Sequence, residues 1–276
     1  MQCHLLQLTS QHSPSHNFSR IEAFVQQLGA ASHNALLVLP EACLHFGQGQ
    51  PWHQDAEPSG SGYWQQRLAQ LAKAHHCYLV AGTVPVQAAD GRAYASSWLF
   101  GPDGTGLARY DKVHLFDAEV GDGSDYQESK HTHPGDRLVV VETAIGRIGM
   151  AVCYDVRFAA ALSQLAAAEM DVLVLPSAFT ARTGQAHWQP LLQARAIENQ
   201  CFVVAANQWG SHGDGRQTWG QSMLIDPWGD IIAQRPTGEG WISAQLALER
   251  IPQLRANMPV LQHRRTVAVE RIQEES

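Results

Sequence analysis

The sequence lacks the features that mark several classes of protein. No apolar run reaches about 18 residues, the length of a membrane-spanning helix, so we expect no transmembrane segment. The segment Met1–Ser10 has no basic stretch followed by an apolar one, and no secretory signal is expected. Charged residues make up only 16 % of the chain, and its net charge of −7 includes no basic stripe. Nucleic acid and anionic membranes are therefore not expected as partners.

Cysteine is scarce, and its spacing excludes two kinds of stabilising site. The cysteines are Cys3, Cys43, Cys77, Cys153 and Cys201. They are odd in number, widely spaced and without a C-x-x-C pair, so neither a disulfide framework nor a zinc site is predicted. Free cysteines favour a reducing compartment, and we expect a cytoplasmic location. The other four, Cys3, Cys43, Cys77 and Cys201, lie in or beside apolar strands and are predicted to be buried by packing.

Histidine is abundant, but its spacing indicates no metal centre. His131 and His133 form an H-x-H pair, yet no Cys, Asp or Glu completes a convincing set of ligands around them. We therefore expect neither a metal nor another cofactor.

Apolar segments of strand length alternate with amphipathic segments of helix length. Runs rich in Val, Leu and Ile are predicted as buried strands: Ala35–Pro40, Cys77–Val84, Arg147–Cys153, Asp171–Pro176 and Cys201–Ala206. Amphipathic stretches are predicted as helices: Asn17–Leu28, Tyr63–His75, Phe158–Ala168 and His187–Asn199. Turns at Gly101–Gly104 and Pro227–Asp230 predict two hairpins. The alternation indicates an α/β protein, with a single domain over residues 1–276 and a tail over about 247–276.

Cys153 ends one predicted strand and precedes a predicted helix. A side chain at such a sharp turn projects from the sheet edge, and the N–H of the next residue, Tyr154, would face a reacting oxygen. The helix end and a neighbouring cation would also favour the thiolate, which is the reactive form of cysteine. From this position alone, Cys153 is either a nucleophile or a small buried hydrophobic residue.

Glu41 and Lys112 also follow predicted strands. Glu41 closes the run ALLVLPE, and ligands of open α/β sheets bind just beyond such strand ends, where a carboxylate can act as a general base. Lys112 lies among apolar residues in RYDKVHLFD, and its charge would stabilise an oxyanion or a nearby thiolate. Taken separately, Glu41 could instead be a helix cap or a solvated acid, and Lys112 a surface lysine.

The stretches LPE, YDKVHLF and VCYDVRF, in that order, resemble the nitrilase-type carbon–nitrogen hydrolase superfamily. The resemblance covers nearly the whole chain and implies that Glu41, Lys112 and Cys153 are the catalytic residues. A second glutamate of that family matches Glu128 in YQESKHTHPGD, which would orient Lys112 and the substrate amide. The implied fold is an α/β four-layer αββα sandwich, and the implied assembly is a homodimer.

Residues after the nucleophile indicate the kind of amide that is cleaved. Arg157 suits a substrate carboxylate because a guanidinium binds it bidentately, although a structural pair with Asp155 is the alternative. In family members that act on dicarboxylate monoamides, an arginine at this position holds the carboxylate. Phe179 and Thr183 match positions that line the pocket, and Tyr154 is expected beside them.

Within the superfamily, the chain most resembles the branch of deaminated-glutathione amidases, on FDAE, CYDVRF, PSAFTARTGQAHW and GQSMLIDPWG. That branch hydrolyses the α-keto analogue of glutathione, a small-molecule amide, to 2-oxoglutarate and cysteinylglycine. Its sister branch, ω-amidase, hydrolyses 2-oxoglutaramate. The loop Gly210–Gln217 is variable and could change how the dipeptide leaving group fits into the pocket. A protein that only binds metabolites and an acyltransferase with another acceptor are the rival classes.

Overall fold

The computed structural model describes residues 1–47, 52–213 and 215–273. The α-helices are α1 (Pro14–Leu28), α2 (Tyr63–Ala74), α3 (Ala159–Ala167), α4 (Ala181–Asn199), α5 (Ile251–Asn257) and α6 (Val260–His263). The strands are β1 (Gln2–Gln7), β2 (Leu36–Val38), β3 (Tyr78–Val80), β4 (Val84–Gln87), β5 (Ala93–Phe100), β6 (Gly106–Asp111), β7 (Asp117–Glu119), β8 (Asp125–Gln127), β9 (Val139–Thr143), β10 (Gly146–Met150), β11 (Val172–Val174), β12 (Phe202–Ala205), β13 (Trp209–Ser211), β14 (Gln217–Trp219), β15 (Ser222–Ile225), β16 (Ile231–Arg235) and β17 (Gly240–Gln245). Short 3₁₀ helices cover Gly29–Ser32, Trp52–Asp55, Glu128–Lys130, Cys153–Arg157 and Leu248–Arg250.

Two mixed sheets form the centre of the fold. Over the described residues, the first has seven strands, in the order β17-β1-β2-β3-β5-β4 with β6 paired to β5. The second has six, in the order β16-β15-β12-β11-β10-β9. Strands β1, β2 and β3 run parallel in the first sheet, and β10, β11 and β12 run parallel in the second. Each sheet therefore gathers the carboxyl ends of three parallel strands at one edge.

Successive side chains of the buried strands point to opposite faces of the sheet, and this divides the core into two layers. Leu36 and Val38 of β2 face the second sheet and share a core with it. Leu37, between them, faces the other way and packs with residues of α1 and α2. Successive side chains of a strand point to opposite faces, so a strand buried on both sides needs apolar residues throughout. On the far side, Trp188 of α4 is fully buried against the second sheet. The result is the predicted αββα sandwich, and this prediction is confirmed.

The five predicted strands and both hairpins are present, but several helix boundaries differ from those predicted. Helix α4 begins at Ala181, ahead of the predicted start, because the Thr180 hydroxyl accepts a hydrogen bond from the N–H of Thr183 and caps the helix. Pro190 lies inside α4 without ending it. A 3₁₀ turn over Cys153–Arg157 precedes α3, so the helix does not follow Cys153 directly.

The C-terminal segment predicted as a tail is partly folded. Ile251 in α5 is buried, and the Arg255 guanidinium donates to the carbonyls of Met170 and Gln200. These contacts hold α5 against the edge of the second sheet. Among the described residues, no helix combines the length and the apolar character needed to cross a bilayer.

Gly82 permits a close approach of backbone beside Glu41. It has a φ of +43°, and a Cβ at this position would lie 1.9 Å from the carbonyl oxygen of Pro40. Gly91 has a φ of +83° with no heavy atom within 4 Å of such a Cβ. The two glycines therefore share the left-handed backbone but differ in the space around it.

We expect Gly82→Ala to lower the free energy of unfolding by at least about 3 kcal/mol, because it adds a backbone clash to the strain of positive φ. The matched variant Gly91→Ala carries only the strain and should cost about 1–2 kcal/mol. Denaturant unfolding followed by circular dichroism measures both. Equal losses in the two variants would contradict a tight approach at Gly82.

Candidate active site

A buried lysine joins two carboxylates from separate segments. Lys112, which directly follows β6, is 2 % exposed. Its Nζ donates to Glu41 Oε1 at 2.9 Å and to both carboxylate oxygens of Glu128 at 2.9 and 3.0 Å. Glu128 Oε2 also accepts from the N–H of Phe116 at 2.6 Å. An ammonium has three donors, so one N–H remains for another acceptor when the two carboxylates each take one.

The charges of this cluster are mutually dependent. Burial lowers the pKa of an ammonium, but Glu128 and Glu41 outweigh burial and raise the pKa of Lys112 well above its usual value. Burial raises the pKa of Glu128, and the nearby charge of Glu41 adds to that rise against the opposing effect of Lys112. One positive charge thus compensates two buried acids.

Cys153 occupies a strained turn past the end of β10, which stops at Met150, so Cys153 does not end the strand as predicted. Its φ is +47°, a region that costs an L-residue of order 1–3 kcal/mol, and its N–H donates to the Pro176 carbonyl at 2.9 Å. The side chain is 9 % exposed and lies beside Glu41 and Lys112. The backbone at Ala178 provides an N–H to the sulfur. The N–H of Tyr154 belongs to the first turn of a 3₁₀ helix, where backbone donors lack partners within the helix.

The expectation that the surroundings of Cys153 favour the thiolate is wrong. Burial raises the pKa of Cys153 well above its usual value, and the negative charge of Glu41 adds to that rise. Lys112 and the Ala178 N–H act in the opposite direction but do not overcome these effects. The lysine charge is already engaged by two carboxylates. The sulfur is therefore held as a neutral thiol next to a carboxylate.

The segment that carries Glu41 is fixed from both sides. The N–H of Ala42 donates to the Thr83 hydroxyl at 2.8 Å, and the Gln208 amide donates to the Glu41 carbonyl at 2.8 Å. Gln208 follows β12 of the second sheet and also bonds Ser10. Side chains from both sheets thus bind the backbone around Glu41 and fix the position of its carboxylate.

Asp155 connects the segment that carries Lys112 with the turn that carries Cys153. Its Oδ2 accepts from the N–H of Val152 and from the Tyr110 hydroxyl, each at 2.8 Å. Its Oδ1 contacts the N–H of His114 at 3.0 Å and His114 Nδ1 at 2.7 Å. With four such contacts, Asp155 does not serve as the partner of Arg157 that the sequence left open. Sequence analysis missed this anchoring role, although the paired Y-D-K-V-H and C-Y-D stretches carry its signal.

Arg157 projects over aromatic rings at the pocket wall. Its guanidinium carbon lies 5.8 Å from the centre of the Tyr154 ring and 5.3 Å from that of Phe179. Its Nη1 lies 3.2 Å from His187 Nδ1, which accepts because a guanidinium only donates. Among the described residues, no carboxylate lies within ion-pair distance of Arg157. A cation in this state can bind an incoming anion without first losing an acidic partner.

All eight residues predicted for the site line one pocket of about 400 Å³. They are Glu41, Lys112, Glu128, Cys153, Tyr154, Arg157, Phe179 and Thr183. Such a volume falls in the range of roughly 300–1,000 Å³ that small-molecule sites occupy. The lining also includes residues that were not predicted for the site, among them His45, Phe46, Thr83, Tyr126, His131 and Arg216. Tyr126 and His131 lie beside Glu128 in sequence, whereas the others come from segments without a recognisable motif and are brought to the site by the fold.

The histidines considered as metal ligands lie apart. His131 stacks on His53 with ring centres 4.4 Å apart, while His133 contacts Arg92 and Asp90. Within the part of the chain that the structure describes, no three His, Cys, Asp or Glu side chains converge as a metal site requires.

Known proteins are similar to this chain over nearly its whole length. The carbon-nitrogen hydrolase family model matches residues 5–256. The chain is 39 % identical to the deaminated glutathione amidase of Yersinia enterocolitica, covering 96 % of this chain and 93 % of that protein. It is 34 % identical to the omega-amidase NIT2 of Homo sapiens, covering 95 % of this chain and 94 % of that protein.

Solved structures show the same relationship. The C. elegans NitFhit protein superposes with a TM-score of 0.87 at 34 % identity, covering 96 % of this chain and 65 % of the NitFhit chain. Saccharomyces cerevisiae Nit3, a member of branch 10 of the nitrilase superfamily, gives 0.85 at 28 % identity, covering 96 % of this chain and 97 % of that one. These matches confirm the resemblance expected from the sequence. The chain belongs to the carbon-nitrogen hydrolase family, and it is an amidase.

Proposed function

We propose that this amidase hydrolyses deaminated glutathione to 2-oxoglutarate and cysteinylglycine through a thioester on Cys153. The observation that carries the proposal is the placement of Cys153 beside the Glu41 carboxylate and the Lys112 ammonium, in a pocket that also presents Arg157. The similarity to proteins named deaminated glutathione amidase supports the choice of substrate.

Acylation begins with the neutral thiol. The Glu41 carboxylate takes the thiol proton as the Cys153 sulfur attacks the amide carbon, because a thiol that is protonated at rest needs a base in contact with it. The remaining N–H of Lys112 and the backbone N–H of Tyr154 hold the oxyanion. When the tetrahedral intermediate collapses, Glu41 returns its proton to the leaving nitrogen, and the amine departs.

Deacylation uses the same groups. Glu41, again a carboxylate, takes a proton from a water molecule as its oxygen attacks the thioester carbon, and the acid product leaves as the sulfur recovers a proton. Glu128 acts on this sequence through Lys112, because both of its oxygens contact Nζ. We assign it a positioning role for the ammonium.

Arg157 is proposed to bind the carboxylate of the acyl part. Its planar fork suits bidentate binding of a carboxylate, and its stacking on Tyr154 and Phe179 holds it at the wall. Thr183 lines the same wall. This arrangement fits a 2-oxo acid with a distal amide.

A second candidate function is that of an ω-amidase acting on 2-oxoglutaramate. The similarity to omega-amidase NIT2 favours it, and both substrates would leave the same acyl group on Cys153. They differ only in the leaving amine. The single domain, the homodimer and the cytoplasmic location stay predictions from the sequence.

The first test concerns proton transfer. In Glu41→Gln, we expect the pKa of Cys153 to fall, because the negative charge that helps to raise it is removed. Thiolate absorbance in the ultraviolet, followed against pH, measures the change. The difference from the same variant carrying Cys153→Ser isolates this thiol, since burial raises the pKa of Cys43, Cys77 and Cys201 to about 12. An unchanged pKa in Glu41→Gln would rule out Glu41 as the neighbouring base.

The second test concerns the oxyanion. Removing one donor typically costs about 3–4 kcal/mol, so kcat of Lys112→Met should fall by at least about 100-fold. Thermal unfolding is measured alongside, because the change leaves two acids unpaired, and the exposed Lys130→Met is the matched control. A folded Lys112→Met with near-normal kcat would refute the role.

The third test compares the two substrates on the unmodified protein. We expect kcat/KM for deaminated glutathione to exceed that for 2-oxoglutaramate by at least about tenfold, which corresponds to about 1.4 kcal/mol. Release of 2-oxoglutarate is common to both and is measured with Cys153→Ala as the blank. Equal or better use of 2-oxoglutaramate would make the protein an ω-amidase, and no release from either would overturn both candidates.

A further inference from the structure

His45 belongs to the pocket wall and lies on the segment that carries Glu41. It follows Glu41 closely in sequence, and both residues line the pocket. The Asn17 amide donates to the carbonyl of Leu44, directly before His45, at 2.7 Å and holds the segment in place. The side chain of His45 is itself buried, with 7 % of the residue exposed. Its imidazole is therefore a fixed part of the wall.

One nitrogen of His45 is bound by a carboxylate outside the pocket. Its Nδ1 lies 2.5 Å from Asp55 Oδ2. Because a carboxylate only accepts hydrogen bonds, Nδ1 carries a proton and donates it to this contact. Trp52, in the same 3₁₀ helix as Asp55, is among the described residues that line the pocket, but Asp55 is not. Asp55 thus fixes the orientation of the ring, and in the neutral imidazole it leaves Nε2 as an acceptor.

The second nitrogen of His45 has nothing to bind within the protein. Its Nε2 is buried and lacks a hydrogen-bond partner. Other buried side-chain atoms in the described ranges also lack one, such as Nδ1 of His53 and Oγ1 of Thr132, but none of them belongs to a residue that lines the pocket. A buried polar atom without a partner destabilises a protein, and a ligand that brings a donor removes this penalty.

The position of His45 in the fold indicates which part of a substrate it meets. Arg157 and Phe179 follow strands β10 and β11 of the second sheet, whereas His45 follows β2 of the first. In the proposed mechanism, Arg157 takes the carboxylate of the acyl part, and Glu41 returns a proton to the leaving nitrogen. His45 shares the segment of Glu41, and we therefore assign it to the leaving amine.

We propose that His45 Nε2 accepts a hydrogen bond from the leaving part of the substrate, and that Asp55 positions the imidazole for this contact. The pocket then favours amides whose leaving amine carries a further N–H or S–H donor, as a small peptide does. This inference rests on the proposed function. Cysteinylglycine carries both kinds of donor, whereas 2-oxoglutaramate releases ammonia and extends no group toward His45.

The test measures kcat/KM of the full-length protein for deaminated glutathione, two analogues of it and 2-oxoglutaramate. In one analogue an ester oxygen replaces the glycine N–H, and in the other the thiol is S-methylated. The unmodified enzyme should prefer deaminated glutathione over one of these analogues by roughly 3- to 10-fold, as expected for one neutral hydrogen bond. The analogue that is disfavoured identifies the donor.

Two substitutions of His45 separate its two nitrogens. In His45→Asn, the shorter amide keeps a donor near Nδ1 for Asp55 but has no atom at the place of Nε2, so the preference should fall to near one. In His45→Gln, the longer amide returns an acceptor to the place of Nε2, and part of the preference should remain. A merely structural His45 would change kcat/KM for all four substrates together and leave their ratios unchanged.

Two further variants test the role of Asp55 and the specificity of the effect. In Asp55→Asn, the amide can donate to Nδ1 and so move the ring proton to Nε2, which then no longer accepts. The preference should be lost although His45 is intact. His12→Asn is the matched control, because His12 is exposed and is not one of the described residues that line the pocket. It should keep the preference of the unmodified enzyme.

The outcomes distinguish this inference from the function on which it rests. If deaminated glutathione is cleaved well but both analogues are used equally well, or if the preference survives in His45→Asn, the role of His45 is refuted and the proposed function stands. If deaminated glutathione is cleaved no better than 2-oxoglutaramate, both are refuted. Loss of the preference in His45→Asn and Asp55→Asn but not in His12→Asn supports the inference, and loss in His45→Asn alone refutes the positioning role of Asp55.

Discussion

The site depends on one ammonium shared between two buried carboxylates. Lys112 pairs with Glu41, which follows β2, and with Glu128, which begins a 3₁₀ turn, so one ammonium connects three segments that are distant in sequence. Burying either acid without the lysine would be costly, and burying the lysine alone would be equally so. The contact therefore serves assembly and chemistry at once, because an ammonium that gives one N–H to each acid keeps a third for a reacting oxygen.

This ionic contact is supported by a second layer of fixed groups. Asp155 accepts from the N–H of Val152 just before Cys153 and from the N–H of His114 just after Lys112, which ties the two segments together. Gln208 extends the same support to Glu41 from the second sheet. Catalytic geometry usually tolerates errors of only about 0.5 Å, and such supporting hydrogen bonds keep the reacting groups within that limit.

The predictions from the sequence were correct where they rest on local, repeated patterns of apolar residues. Apolar runs predicted the strands, and the residues that follow them met at the sheet edges because parallel strands end together. It failed where an outcome depends on tertiary surroundings. The charge state of Cys153 reflects burial and a competing carboxylate, and the start of α4 reflects a Thr180 cap ahead of an interior proline. Arg216 carried no motif, since a hairpin remote in sequence positions it.

A nucleophile that is protonated and nine-tenths buried at rest is a poor target for oxidants. Peroxide and other electrophiles react with thiolates, and oxidation beyond the sulfenic acid is not readily reversed. In the proposed mechanism, Cys153 becomes a thiolate only while Glu41 holds its proton during attack on a bound amide. The arrangement that delays ionisation until substrate arrives thus also protects the sulfur between turnovers, and the protein should keep its activity under oxidative stress longer than enzymes that rest with an exposed thiolate.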